Sequence, residues 1–334
     1  MLTILNDCHL AASRSAGTTA NTKIALRARL IEQFKDLLPT DASDLMILGD
    51  LFDTFDINPL DLYSAYVLLA NWLELNKAAQ LYLIAGNHDV SKTSSTVSSF
   101  ELLCNLLRYS YASQVKVILE PTMTPYGYVI PHLPNQTLFN EALALVPECQ
   151  NLFLHVNYDN HFAVQSDQSL NLTELQADAC KAKRIIIAHE HNMKQSGKIL
   201  IPGNQIASSV SDWISSPTKY YTQVDGTEAR LVACRQRDSE YTEVDWKLLE
   251  TATTPFIRVV GKVKPEDATL AITAIAKFRA VSPALVISSA IEVLTEDDSA
   301  QFAASLESAQ AFDVMKALGK HLSAEQLQKI QELT

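Results

Sequence analysis

No apolar run in this chain approaches the roughly 20 residues that a membrane-spanning helix requires, which excludes an α-helical integral membrane protein. Cysteine is scarce: Cys8, Cys104, Cys149, Cys180 and Cys234 are scattered, odd in number and without metal-type spacing. That argues against a disulfide framework and a thiolate metal site, and makes a reducing cytoplasm the expected location. Basic residues are outnumbered, 27 Lys and Arg against 38 Asp and Glu, for a net charge of −11. This argues against a surface coated for nucleic-acid binding, although a local basic strip can still hold a backbone. Internal repeats and low-complexity tracts are absent as well. The first residues, Met1-Leu2-Thr3-Ile4-Leu5, run directly into a polar motif, so no signal peptide is expected.

Histidine is also sparse, which makes its placement informative: five of the eight fall in short polar motifs. In chain order these are Asp7-Cys8-His9, Gly49-Asp50-Leu51-Phe52-Asp53, Gly86-Asn87-His88-Asp89, the lone His155, and His189-Glu190-His191. Each follows a short run rich in Leu, Ile and Val, at 2–5, 45–48, 80–85, 152–154 and 184–188, which reads as a buried strand. Stretches with helical periodicity at 24–38, 59–76 and 97–107 lie between them. The alternation predicts a layered α/β domain over 1–250 with a substantially buried sheet. Groups at the carboxyl ends of its strands would converge on one rim. After His191 the texture changes: 198–201, 220–224 and 229–233 read as strands of a second sheet packed on the first. Residues 251–255 read as a linker, and 256–295 as a small α/β appendage. A helical tail over 299–334 follows, with Ser323 and Gln326 as a capping box.

These residue types fit the hydrolysis of a phosphate ester at two divalent metals. The anionic oxygens of a phosphodiester repel a nucleophile, and a pair of ions about 3.5–4 Å apart answers this by binding them and activating a water. Such a centre needs a carboxylate able to bridge, flanked by imidazoles and a neutral oxygen. Asp7 and His9, at i and i+2, can point to one side, and His189 and His191 repeat the spacing. Cys8 between the first pair should then face away as a packed thiol. Asp50 follows Gly49 at a strand end, and Asn87 offers an amide oxygen. Taken singly, each has an ordinary alternative: a packed histidine for His155, a turn for Gly86-Asn87. Their order and shared position at strand ends is what carries the reading. A nitrogen and oxygen set without thiolate suits Mn, Mg, Fe or Zn in an active centre. Arg14, Lys23, Arg27 and Arg29 after the first motif read either as a basic strip or as a solvated helix face.

With these motifs in view, the chain resembles the calcineurin-like metallophosphoesterases. Within them it is most similar to the nuclease subunit of the SbcCD complex and its phage and double-strand-break-repair relatives. Gly49-Asp-Leu-Phe-Asp-Thr54 with Pro59 beyond it, Ala85-Gly-Asn-His-Asp89, Asp7-x-His-Leu10, and the proline-framed Ile130-Pro-His-Leu-Pro134 carry the resemblance, which spans roughly residues 1–225. It implies a two-sheet sandwich flanked by helices, with a C-terminal capping domain opening at Pro255-Phe-Ile-Arg258. It further implies that Asp7, His9, Asp50 and His191 hold one ion, and Asp50, Asn87, His155 and His189 the other, with manganese the expected metal. His88 would contact the scissile phosphate and assist the leaving oxygen, oriented by Asp53. Asp89 would be either a supporting or a purely structural residue, Glu190 would face away, and Gly203-Asn204 would form a turn behind the site. His161 reads as a loop residue, His132 as structural and His321 as surface. The implied activity is a Mn-dependent DNA exo- and endonuclease acting as a homodimer with an SMC-like ATPase, which the helical tail would dock. The alternatives are a phosphodiesterase of small nucleotides or lipid-linked pyrophosphates, and a catalytically weak scaffold for the ATPase.

Overall fold

The structure is a computed structural model, and it describes residues 1–12, 20–91, 96–160, 169–207, 209–216, 218–234 and 240–294. Arg14, His161 and the 299–334 tail with its capping box and His321 lie outside the described residues.

The fold is mixed α/β and built on two six-stranded sheets. The first begins with β1 (Leu2–Leu5), β2 (Asp44–Leu48), β3 (Leu81–Ile84) and β4 (Val115–Ile118), all parallel. Helices α1 (Ala20–Leu37), α2 (Pro59–Leu75) and α3 (Ser99–Ser110) make the crossovers. Asn58 caps α2 ahead of Pro59 at its first position, and Ser98 caps α3, which satisfies amides that the helices leave unpaired. The chain then enters the second sheet through β5 (Thr122–Thr124), β6 (Gly127–Ile130) and β7 (Cys149–His155). A two-stranded ribbon, β8 (Asn157–Tyr158) with β9 (Asn171–Leu172), precedes β10 (Ala182–Ala188), β11 (Lys194–Ser196) and β12 (Ile199–Ile201) of that second sheet.

Strands buried on both faces should be apolar throughout, and β1 and β3 are fully buried along their length. Alternation still decides which layer each side chain joins. Leu2, Ile4, Met46 and Leu48 point between the sheets, to Phe153, Ile186 and Leu200. Leu5, Leu45 and Ile47 point outward, to Leu30, Phe34, Leu69 and Leu103 of the helices. The second sheet's outer face packs under the helices Gln136–Ala144 and Glu174–Ala179 through Phe139, Ala142 and Ala177. The order is therefore helix, sheet, sheet, helix.

Two expectations need correction. The strands β13 (Tyr220–Asp225) and β14 (Glu228–Ala233) do not belong to the second sheet: β13 runs antiparallel along β1 and extends the first. The runs at 152–154 and 184–188 instead form the centre of the second sheet, paired in parallel as β7 and β10. Hydrophobic pattern marks a strand but does not encode which edge it joins. Beyond β14, a parallel three-stranded sheet combines β15 (Tyr241–Asp245), β16 (Phe256–Val263) and β17 (Val286–Val293), covered by the helix Ala268–Val281. This sheet draws in Tyr241–Asp245, which precedes the linker expected at 251–255. It has its own core around Ile257, Val259 and Ile275, while Phe256 joins the main core beside Trp213, ring centres 5.9 Å apart.

Candidate metal centre

The carboxyl ends of β1, β2, β3, β7 and β10 open on one rim, and the five motifs meet there. Past the strand ends the first two motifs remain paired: Asp7 N donates to Gly49 O at 3.1 Å, His9 N to Asp50 O at 3.1 Å, and Leu10 N to Leu51 O at 2.8 Å. The backbone at the rim is unusual. Asp7, His9, Asp50 and His189 have φ of 49°, 44°, 49° and 92°, a left-handed region that non-glycine residues seldom occupy and that costs on the order of 1–3 kcal/mol each. Two glycines permit the closest approaches. A Cβ on Gly49, itself at φ +83°, would lie 2.1 Å from His155 Nδ1, and one on Gly86 would lie 2.2 Å from Asp50 Oδ1.

The side chains gather in two groups, Asp7 with His9 and His191, and Asp50 with His155 and His189. In the first, His9 Nε2 and His191 Nε2 face each other at 3.1 Å. In the second, His155 Nε2 lies 3.2 Å from Asp50 Oδ2 and 3.1 Å from Asn87 Oδ1, while His189 Nδ1 lies 2.9 Å from the same amide oxygen. His155 Nε2 is also 4.0 Å from Asp7 Oδ1, so the groups adjoin. Asp7, His9, Asp50 and His155 are buried, while Asn87, His88, His189 and His191 are partly open on the solvent side.

These residues fit divalent cations. His191 Nδ1 donates to Asp212 Oδ1 at 2.9 Å and His155 Nδ1 to Leu48 O at 3.1 Å, which leaves both Nε2 atoms as lone-pair donors turned inward. The 3.1 Å between His9 and His191 Nε2 suits two nitrogens that each stand about 2.0–2.1 Å from a shared ion. Asp7 Oδ1 is buried with no hydrogen-bond partner among the described residues, and Asp7 Oδ2 accepts from His189 N and Asn6 Nδ2. Charge tells the same story. Burial would depress His155, yet the adjacent Asp50 carboxylate outweighs it and lifts the imidazole to about 9. Burial would raise Asp50, but His155, His9 and His88 hold it well below the usual carboxylate range. A pocket that draws protons onto its imidazoles in this way is one that calls for positive charge.

Among the supporting residues, Asp53 meets His88 through a different atom than expected. The Asp53 carboxylate does not reach His88; it stands 3.4 Å from His9 Nδ1. What orients His88 is the main chain of Asp53, whose carbonyl accepts from His88 Nδ1 at 2.7 Å. The carbonyl is set by the paired loops, and the side chain points to the nearer imidazole. Asp89 is a clamp: its carboxylate accepts from the amides of Leu51, Phe52 and Gly86 and so ties the second motif to the third. Burial pushes it up to about 7, with the charge of Asp50 adding to the effect. Glu190 turns to the amide of Tyr158 at 2.6 Å. Cys8 is buried in the outer core. His132 donates its main-chain N–H to Ala85 O, behind the third motif. Of the basic strip, Arg27 pairs with Asp61 at 3.1 Å and Arg29 with Glu32 and Glu240, so these two face acidic partners in the protein.

Sequence reasoning missed Asp212, Lys219 and Asn6. Asp212 sits three residues after the cap Ser209 and reads as an ordinary capping residue of the helix Val210–Ser215. Burial alone would raise its carboxyl, but the hydrogen bond from His191 keeps it well below the usual range. Burial draws Lys219 down to about 8, with Asp212 opposing.

The sequence profile of the calcineurin-like phosphoesterases matches residues 2–193, which contain all five motifs. The chain belongs to that family. No curated protein matches it. Calcineurin-like phosphoesterases hydrolyse phosphoester bonds with a pair of divalent metals, and the two side-chain groups here are candidates for holding that pair.

Proposed function

We propose that this calcineurin-like phosphoesterase is a Mn-dependent DNA nuclease, cleaving phosphodiester bonds at the rim and working as a homodimeric cytoplasmic partner of an SMC-like ATPase. The observation that carries the chemistry is His88. Its Nδ1 donates to Asp53 O, its main-chain N donates to Asp50 Oδ1 at 2.9 Å, and its ring stands edge-on to His9 with centres 5.2 Å apart. With Nδ1 fixed as donor, Nε2 is the atom left to meet an incoming phosphate or leaving oxygen. Asp7, His9, Asp50 and His191 would hold one divalent ion and Asp50, Asn87, His155 and His189 the other, and the pair would supply Lewis acidity and an activated water. Asp50 accepts from the amide of His88 and so holds it beside the second group; Asn87 lends a neutral oxygen to two imidazoles. The choice of DNA rests on the motif resemblance, above all Asp53 followed by Thr54 and Pro59, and on the three-stranded sheet docked on the main core, read as a capping domain.

The second reading is hydrolysis of a small nucleotide or pyrophosphate, favoured by the net charge of −11 and by the engagement of Arg27 and Arg29 with acidic partners. The two are separated by Mn-dependent cleavage of end-labelled linear DNA beside a chromogenic small phosphodiester, with wild type and His88→Ala. DNA degradation by wild type, lowered about 10²–10⁴-fold in a variant that still binds its metals, is the expected outcome. Cleavage of the small ester alone, unchanged when an SMC-like ATPase is added, would sink the nuclease reading.

A further inference from the structure

Strands β15, β16 and β17 are parallel, so their carboxyl ends share one edge of the appendage. Two segments leave that edge and run back over the same face of the sheet. One is the 3₁₀ helix Trp246–Thr251 after β15, the other the helix Ala268–Val281 after β16. Both bury residues in the appendage core, Trp246 and Leu249 from the first, Ala271 and Ile275 from the second. Their flanks do not close. A groove of about 740 Å³ lies between them, walled by Trp246 and Leu248 on one side and by Leu270, Ala274, Phe278 and Val281 on the other. The wall is apolar yet open: Leu248, Leu270 and Val281 are 57%, 60% and 81% exposed. Burial would stabilise such side chains, and the four on the helix, at i, i+4, i+8 and i+11, form a continuous stripe.

The chain itself arrives at the head of this groove. Leu294 N donates to Val263 O at 2.8 Å, so the end of β17 sits beside the end of β16, just before the turn Pro265–Asp267 that leads into Ala268. Residues 295–334 continue from there, outside the described residues. Within them Ala311, Met315, Leu318 and Leu322 recur at i, i+4, i+7 and i+11. On a helix these make one apolar stripe, with Asp313, Lys316 and Lys320 opposite. The stripe would cover about 16 Å, the same length as Leu270 to Val281. Residues 295–310 lead to it, more chain than the roughly 10 Å from β17 across to β15 requires. A segment tethered so closely meets its groove at about millimolar effective concentration. We propose that residues 311–322 form a helix that docks in the groove of its own chain, between Trp246–Thr251 and Ala268–Val281.

The test is hydrogen exchange and amine cross-linking on the full-length protein. Backbone amides of 311–322 should exchange at least about tenfold more slowly than those of an unstructured chain. Leu270→Asp should abolish that protection, and Val281→Asp, at the more exposed position, serves where Leu270→Asp fails to fold. Leu318→Asp should in turn speed exchange in 246–251 and 270–281 while leaving β1, β2 and β3 as in wild type. Lys316→Glu, on the polar side of the stripe, should keep the protection. A cross-linker should join Lys277, which lines the groove, to Lys316 or Lys320. In a mixture of nitrogen-15-labelled and unlabelled protein, those links should fall within one chain. Links between labelled and unlabelled chains, with protection lost on dilution, would assign the groove to a second copy and overturn the proposal. Protection of 311–322 that survives the groove variants, that is lost equally in Lys316→Glu, or that arises only when an SMC-like ATPase is added would overturn it as well.

Discussion

Gly49 works by what it leaves out. The imidazole of His155 occupies the space where its side chain would be, and its φ of +83° suits no L residue well. Gly49→Ala must therefore push His155 off its hydrogen bond to Leu48 O as well as strain the turn. We expect metal affinity to fall at least about 10-fold and stability by about 1–3 kcal/mol, read by metal titration and urea unfolding; affinity equal to wild type would contradict the geometry. The same residue scale shows what a sequence reveals. Asp7, His9, Asp50, Asn87, His88, His155, His189 and His191 could be picked out because each sits within a few residues of a strand end, where a polar residue has little structural reason to recur. Asp212 could not. Its partner His191 is 21 residues away, and a serine three positions before it gives the carboxylate an ordinary explanation as a cap.

At the scale of elements, the strands 2–5, 45–48 and 80–85 were legible because burial on both faces leaves an apolar run that polar motifs terminate. Their assembly was less so. Tyr220–Asp225 and Glu228–Ala233 carry a pattern suited to either sheet, and only the free edge of β1 decides the matter. Short strands such as Thr122–Thr124 are below the length at which periodicity speaks. What holds the two sheets in register is their shared core, in which Phe153 is fully buried against Ile186 and the strands of the first sheet. Phe153→Ala should cost about 3–5 kcal/mol in denaturant unfolding. Because β7 ends in His155, it should weaken metal binding too, although Phe153 itself offers no ligand atom. A loss below about 1 kcal/mol would mean that the sheets are not joined there as described.

For the whole molecule, the centre is a joint between halves. Asp7, His9, Asp50 and Asn87 come from the first sheet, and His155, His189 and His191 from the second. Ions that bind only the folded chain stabilise it by mass action, about 2.7 kcal/mol at roughly 100 times the dissociation constant. Chelation should accordingly lower the thermal midpoint by several degrees, reversed by restoring Mn²⁺; a midpoint indifferent to EDTA would show that the groups hold no ion in solution. The span between His9 and His191, 182 residues, has a consequence for synthesis. A chain emerging from the ribosome carries Asp7, His9, Asp50 and Asn87 long before the last histidines exist, and β1 stays unpaired on one side until Tyr220–Asp225 has been made. The growing polypeptide is thus an unarmed hydrolase, and its chemistry is withheld until His189 and His191 have been made.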